Sequence, residues 1–227
     1  MFYKYNPYMN NMKFIGKLNY NHVFGGLCIN SKKEIFCLSG NFNKKIEKYD
    51  NKLNIWLNNK EEMNFERSES SFIFINDKYI FSFFGYNVIQ NKYLNSIEFC
   101  DVSNENMKWN LIPNIINENN FCTDIKGHSI IKNDKNNILI FGGFNGRNNK
   151  ANNLFIEANI DLENNKIILD EAKENFSLIP NNKIYNFSYY NEINFVNNNQ
   201  DLYLFDRKNN IILFNIDKNK MDIFYLD

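Results

Sequence analysis

Histidine, arginine, proline and tryptophan are scarce in this chain of 227 residues. The two histidines, His22 and His128, stand far apart in sequence, and no cluster of carboxylates accompanies them, so a first-row transition-metal site is not expected. Four cysteines (Cys28, Cys37, Cys100, Cys122) include no C-x-x-C pair, which excludes a zinc-ribbon pattern and a dense disulfide framework. An excess of one charge is also missing: 26 basic residues balance 26 acidic ones. Proteins that bind polyanions along their whole surface carry a surplus of Lys and Arg, so no nucleic acid partner is expected. No apolar run approaches the roughly 18 residues of a membrane helix, so no membrane partner is expected either. The opening "MFYKYNPYMNNMK" has no apolar core of a secretory leader, and a reducing, cytoplasmic location is the expectation.

Hydrophobic residues make up 44% of the chain and aromatics 16%, enough to fill a core. Asparagine supplies about a fifth of the sequence, scattered in twos and threes between apolar runs. Together with abundant Lys, Ile, Phe and Tyr, that is the bias AT-rich codons produce. Its placement suits turns better than an assembly-prone low-complexity tract.

Glycine is rare as well, nine residues in all, and its positions repeat. "EIFCLSG" ends on Gly40, "KYIFSFFG" on Gly85, and "NILIFGG" on Gly142-Gly143. Each run is short, aromatic or β-branched, and bounded by polar residues, so each predicts a strand. Ile46-Glu47, Ile97-Glu98 and Ile156-Glu157 follow the glycines, with Asp50, Asp101 and Asp161 just beyond. Trp56 and Trp109 come next, and Ile167-Ile168 stands at the corresponding place in the third copy. A further apolar run precedes each glycine strand. One unit is therefore four antiparallel strands in about 50 residues.

This unit resembles the kelch repeat. In that family a double glycine closes the second strand, a Tyr-Asp or similar pair follows, and a Trp comes later. Gly142-Gly143 and Tyr49-Asp50 match in full; Ser39-Gly40, Phe84-Gly85 and Phe99-Cys100-Asp101 match in part. The resemblance implies an all-β fold, a kelch-type β-propeller of about four four-stranded blades, at 22–62, 67–113, 122–173 and 183–227. Residues 1–21 form an N-terminal segment able to supply a closing strand. Four blades are few, so the ring is expected to be small, open or part of a larger one. Gly40, Gly85, Gly142, Gly143, Trp56 and Trp109 are structural repeat residues in this reading: glycines where the strand stops and turns, tryptophans as wedges between blades. A WD40 repeat does not fit, because Trp56 precedes Leu57 and Trp109 precedes Asn110.

Enzymatic propellers leave signatures that are missing. There is no His, Tyr and Cys set of the copper-oxidase type and no Asp-box, and "GGFNGRNNK" lacks the Ser or Thr after Lys of a phosphate loop. The expectation is a non-enzymatic scaffold, without catalytic residues, cofactor or metal, that binds a protein partner. Its loops between second and third strands, 41–45, 86–93 and 144–153, differ in length on a constant frame. They hold Tyr86, Tyr93 and Arg147, residue types that dominate interface energies. A propeller enzyme acting on a carbohydrate or small metabolite, and a structural subunit of a larger assembly, are the alternatives.

Overall fold

The computed structural model describes residues 2–6, 8–104, 106–132, 136–148, 150–151, 155–171, 195–197, 201–205, 211–215 and 220–224. Every regular element among them is a β-strand. The chain divides into two compact units, Met1–Leu111 and Ile112–Asp227.

The first unit opens with a hairpin of β1 (Phe2–Asn6) and β2 (Asn11–Gly16). An antiparallel sheet follows in simple chain order: β3 (Gly26–Ile29), β4 (Ile35–Leu38), β5 (Ile46–Asp50) and β6 (Ile55–Asn58). The next sheet is built the same way from β7 (Ser71–Ile75), β8 (Tyr79–Phe83), β11 (Ile97–Asp101) and β12 (Trp109–Leu111). Between its second and third strands stands a small hairpin, β9 (Tyr86–Asn87) and β10 (Lys92–Tyr93).

Composition explains the burial of these strands. In β8, Ile80, Phe81, Ser82 and Phe83 are all buried, so both faces of the strand are covered. One core cluster gathers Cys28, Phe36, Leu38 and Ile46 from the first sheet with Phe74, Ile80, Cys100 and Trp109 from the second. A large apolar side chain removed fully from water contributes roughly 1.5–3 kcal/mol, so this shared cluster joins the two sheets firmly. Trp56 is packed instead with Cys37 and Tyr49, against Ile15 and Leu18 of the N-terminal segment. Each Trp therefore faces the segment that precedes its own sheet.

In the second unit, β14 (Ile125–Lys132), β15 (Asn137–Asn145), β17 (Phe155–Asp161) and β18 (Lys166–Glu171) form an antiparallel meander. The expected four strands gain two. β13 (Asn114–Ile116) pairs with β18 in parallel, and β16 (Lys150–Ala151) pairs with β15. β13 covers an edge that would otherwise present open backbone groups. The four strands β19 (Phe195–Asn197), β20 (Asp201–Phe205), β21 (Ile211–Asn215) and β22 (Lys220–Phe224) make a last antiparallel sheet within 183–227. Residues 172–194, which include the end of the expected third unit and the start of the fourth, lie outside the described residues.

The glycine pairs share one backbone. Ser39 and Gly40 have φ of 52° and 128°, Phe84 and Gly85 50° and 97°, Gly142 and Gly143 69° and 81°. The second position of each pair also has no room. A Cβ on Gly40 would sit 2.8 Å from the Val23 carbonyl oxygen, on Gly85 2.9 Å from that of Ser68, and on Gly143 2.6 Å from that of Lys126. The first position carries only a left-handed backbone, a cost of about 1–2 kcal/mol that Ser39 and Phe84 bear. One glycine per copy is therefore enough, and the sequence departures from a double glycine leave the turn unchanged.

Candidate functional site

Glu47 and Glu98 are carboxylates whose side chains are fully buried, on the third strand of each four-stranded sheet in the first unit. Glu47 accepts hydrogen bonds from the Asn19 backbone and side-chain amides at 2.9 and 2.7 Å and from the Tyr20 amide at 2.9 Å. Glu98 accepts the matching pair from Asn64, at 2.9 and 2.8 Å. A basic side chain completes each site three residues after that Asn. His22 Nε2 lies 3.0 Å from Glu47 Oε1, and Arg67 Nε donates to Glu98 Oε1 at 2.6 Å.

Further contacts tie both basic side chains into the fold. Arg67 Nη1 donates to the carbonyls of Phe84 (2.7 Å) and Ser96 (2.9 Å), and Nη2 to Ser96 Oγ (2.8 Å). Its backbone amide donates to Ser39 Oγ at 2.7 Å, tying the second sheet to the first. Burial pulls the guanidinium down from its ordinary range, and the Glu98 carboxylate opposes that shift. His22 Nδ1 donates to the Ser39 carbonyl at 2.6 Å. These groups hold segments together and leave no ring nitrogen to serve as a base.

The third copy differs. Gly143 lies against Lys126 as Gly85 lies against Ser68, so Ile125 stands where Arg67 and His22 stand in the first unit. Glu98 pairs with Ser82 and Glu47 with Cys37, and the corresponding partner of Ile140 is Ile156, not Glu157. Ile125 and Ile156 are both buried, and Glu157 faces the other side, half-buried. The shared Ile-Glu spelling is thus shifted by one residue in the third copy, and an apolar pair replaces the acid and base. β17 and β18 are longer than their counterparts. Counted from the turn after Asp161, Ile167 takes the Trp position; counted from the glycine, Leu169 does, and both are buried on one face.

Of the residues expected to bind a partner, the structure brings Tyr86 and Tyr93 together. They pair across the β9–β10 hairpin with ring centroids 5.2 Å apart at 74°, both half-buried. The Tyr86 hydroxyl donates to Asn91 Oδ1. Arg147 belongs to the other unit, is exposed, and reaches Asp124 Oδ2 at 3.3 Å. Trp56 and Trp109 are each 4% exposed.

Two clefts open on the first unit. One, of about 610 Å³, is bordered by Lys17, His22, Gly25, Leu27 and Cys37. Burial pushes the Cys37 thiol up to about 12, and the Glu47 carboxylate adds to the shift, the opposite of what a nucleophile needs. The other cleft, of about 600 Å³, lies between the 41–45 loop and the β9–β10 hairpin, with Tyr20, Phe65 and Glu66 on its walls. Among the described residues, no group of three or more His, Cys, Asp or Glu side chains is placed to hold a metal ion. No helix of the described residues is long and apolar enough to cross a membrane.

No family model matches the chain, and no curated protein matches it.

The glycine, Ile-Glu and Trp pattern of the repeat marks neither Arg67 nor Glu66. A second pattern does mark Arg67: Asn19-Tyr20-Asn21-His22 and Asn64-Phe65-Glu66-Arg67 share the order Asn, aromatic, any, basic. Glu66 has no such marker, because only the fold surrounds it.

Proposed function

We propose that the protein is a non-enzymatic scaffold, a kelch-type β-propeller that is open or part of a larger ring, and that it binds a protein partner through loops between second and third strands. The observation that supports this reading is the use of the buried polar groups. In both four-stranded sheets of the first unit the acid, its basic partner and the Asn engage one another, so a rigid frame carries loops of different construction. One such loop is a tight turn at 41–45 and the next a two-stranded hairpin with paired tyrosines. Aromatic pairs on a rigid hairpin offer contact area at small entropic cost.

The test is a pull-down from the native cell with Tyr86→Ala, Tyr93→Ala and Arg147→Glu combined. The expected result is loss of a partner that the wild-type chain captures, at an unchanged unfolding temperature. Capture at full yield places the binding face elsewhere and removes this reading.

A further inference from the structure

The cleft beside the β9–β10 hairpin contains an acid whose chemistry is unfinished. Glu66 is 3% exposed, and its Oε1 accepts the Ile89 amide at 2.6 Å. Its Oε2 is buried without a hydrogen-bond donor, and no cationic side chain among the described residues pairs with it. Asn41 Oδ1, on the opposite loop lining the same cleft, is a second buried acceptor without a donor. A buried acceptor left without a donor is unfavourable, which favours an occupant that brings donors.

The other charges in the cleft are already met. Lys44 lies 3.6 Å from Glu62 and Lys45 also pairs with Glu62, so neither lysine is turned to Glu66. The walls are aromatic, with Tyr20 and Phe65, and the rim carries two apolar side chains, Phe42 and Ile89, each 69% exposed. Acceptors buried in the lining, aromatic walls and an apolar rim suit a planar cation on an aliphatic stem. A guanidinium has five donors, pairs with a carboxylate and an amide oxygen together, and stacks on aromatic rings, as an ammonium does less well.

We infer that this cleft receives an arginine side chain of the partner protein, with Glu66 as its counter-ion and Asn41 as a second acceptor. The inference rests on the scaffold reading and names the anchor for it. It also uses two of the loops, 41–45 and 86–93, that this reading assigns to binding.

Nα-acetyl-arginine amide serves as the probe, with Nα-acetyl-citrulline amide as its uncharged isostere, each titrated into the full chain and followed by backbone amide NMR shifts. The expected result is saturable binding of the arginine probe at millimolar concentration, with shifts at Ile89 and Gln90, and no saturation by the citrulline compound. Glu66→Gln keeps an acceptor for the Ile89 amide and should unfold at the wild-type temperature while weakening the probe by about tenfold or more. Equal binding of both compounds, or equal binding by the variant, overturns the inference. A pull-down separates it from the scaffold reading. If the wild-type chain captures a partner that Glu66→Gln captures equally well, the arginine anchor fails and the scaffold stands. If the probe binds through Glu66 and no partner depends on that residue or on the loop tyrosines, both fail as accounts of partner binding.

Discussion

Arg67 shows how much one side chain can connect. It neutralises Glu98, caps the carbonyls of Phe84 and Ser96, and through its amide reaches Ser39 of the neighbouring sheet. Removing one member of a buried pair leaves the other charged and unsolvated, at a cost of about 3–5 kcal/mol. Arg67→Met should therefore lower stability by about that amount in denaturant titration. The third copy suggests the compensating change, since Ile125 and Ile156 hold the corresponding places. Arg67→Met combined with Glu98→Leu is expected to be less destabilised than the sum of the two single variants by at least about 1 kcal/mol. Strict additivity would mean that the two side chains do not act as a pair. The recovery stays partial because the Phe84 and Ser96 carbonyls still lose their donor.

At the scale of the element, the sheets of the three repeat copies depend on a turn whose second position only glycine can fill. The two positions of the pair should respond differently. Gly142→Ser reproduces what Ser39 already does in the first sheet and should cost about 1–2 kcal/mol, the price of a left-handed backbone. Gly143→Ser adds a Cβ 2.6 Å from the Lys126 carbonyl oxygen and should cost clearly more. Unfolding midpoints of the two variants give the order, and an equal loss would show that backbone conformation alone matters. The tryptophans belong to the same scale. Trp109 joins the two sheets of the first unit through their shared cluster, and Trp56 joins its sheet to the N-terminal segment. Trp109→Ala should cost about 3–5 kcal/mol, as large aromatics do in a core. A midpoint equal to wild type would mean that the residue is not part of that cluster.

For the molecule as a whole, the buried thiols set a limit at alkaline pH. Cys28, Cys37, Cys100 and Cys122 are free and buried. Burial raises Cys28 and Cys100 well above the ordinary thiol range and Cys37 to about 12, from 9.0. The folded chain then keeps these protons at pH values where the unfolded chain releases them. Below about pH 9 both states are protonated and the thiols add no pH dependence. Above it, stability falls as pH rises, by up to about 1.4 kcal/mol per pH unit for each of Cys28, Cys37 and Cys100, until the folded thiol ionises too. Cys37→Ala should flatten the slope of stability between pH 9 and 11 by about one such step. Denaturant titrations at several pH values measure it, and an unchanged slope would mean that Cys37 titrates in the folded chain as it does in the unfolded one.

The sequence by itself determined the strands and most of their order. Short aromatic or β-branched runs between polar turns have few other stable forms, and the stop at each glycine is local geometry, legible from Gly40, Gly85 and Gly143. Even Asp50 and Asp161 could be read, since each accepts amide hydrogens from the turn that follows it. The tertiary structure decided what those strands bring together. Arg67 lies 31 residues from Glu98, and His22 lies 25 from Glu47, so neither pair is visible as a spacing within one element. The one-residue shift at Ile156-Glu157 is decided by pairing with Ile140 and Leu139, not by spelling. Glu66 is the clearest case. In sequence it is one acid in a polar connection, and only the meeting of two loops from different sheets buries it. Burial and partners are properties of the whole surroundings of an atom, and a carboxylate becomes a site or a solvated surface group according to those surroundings alone.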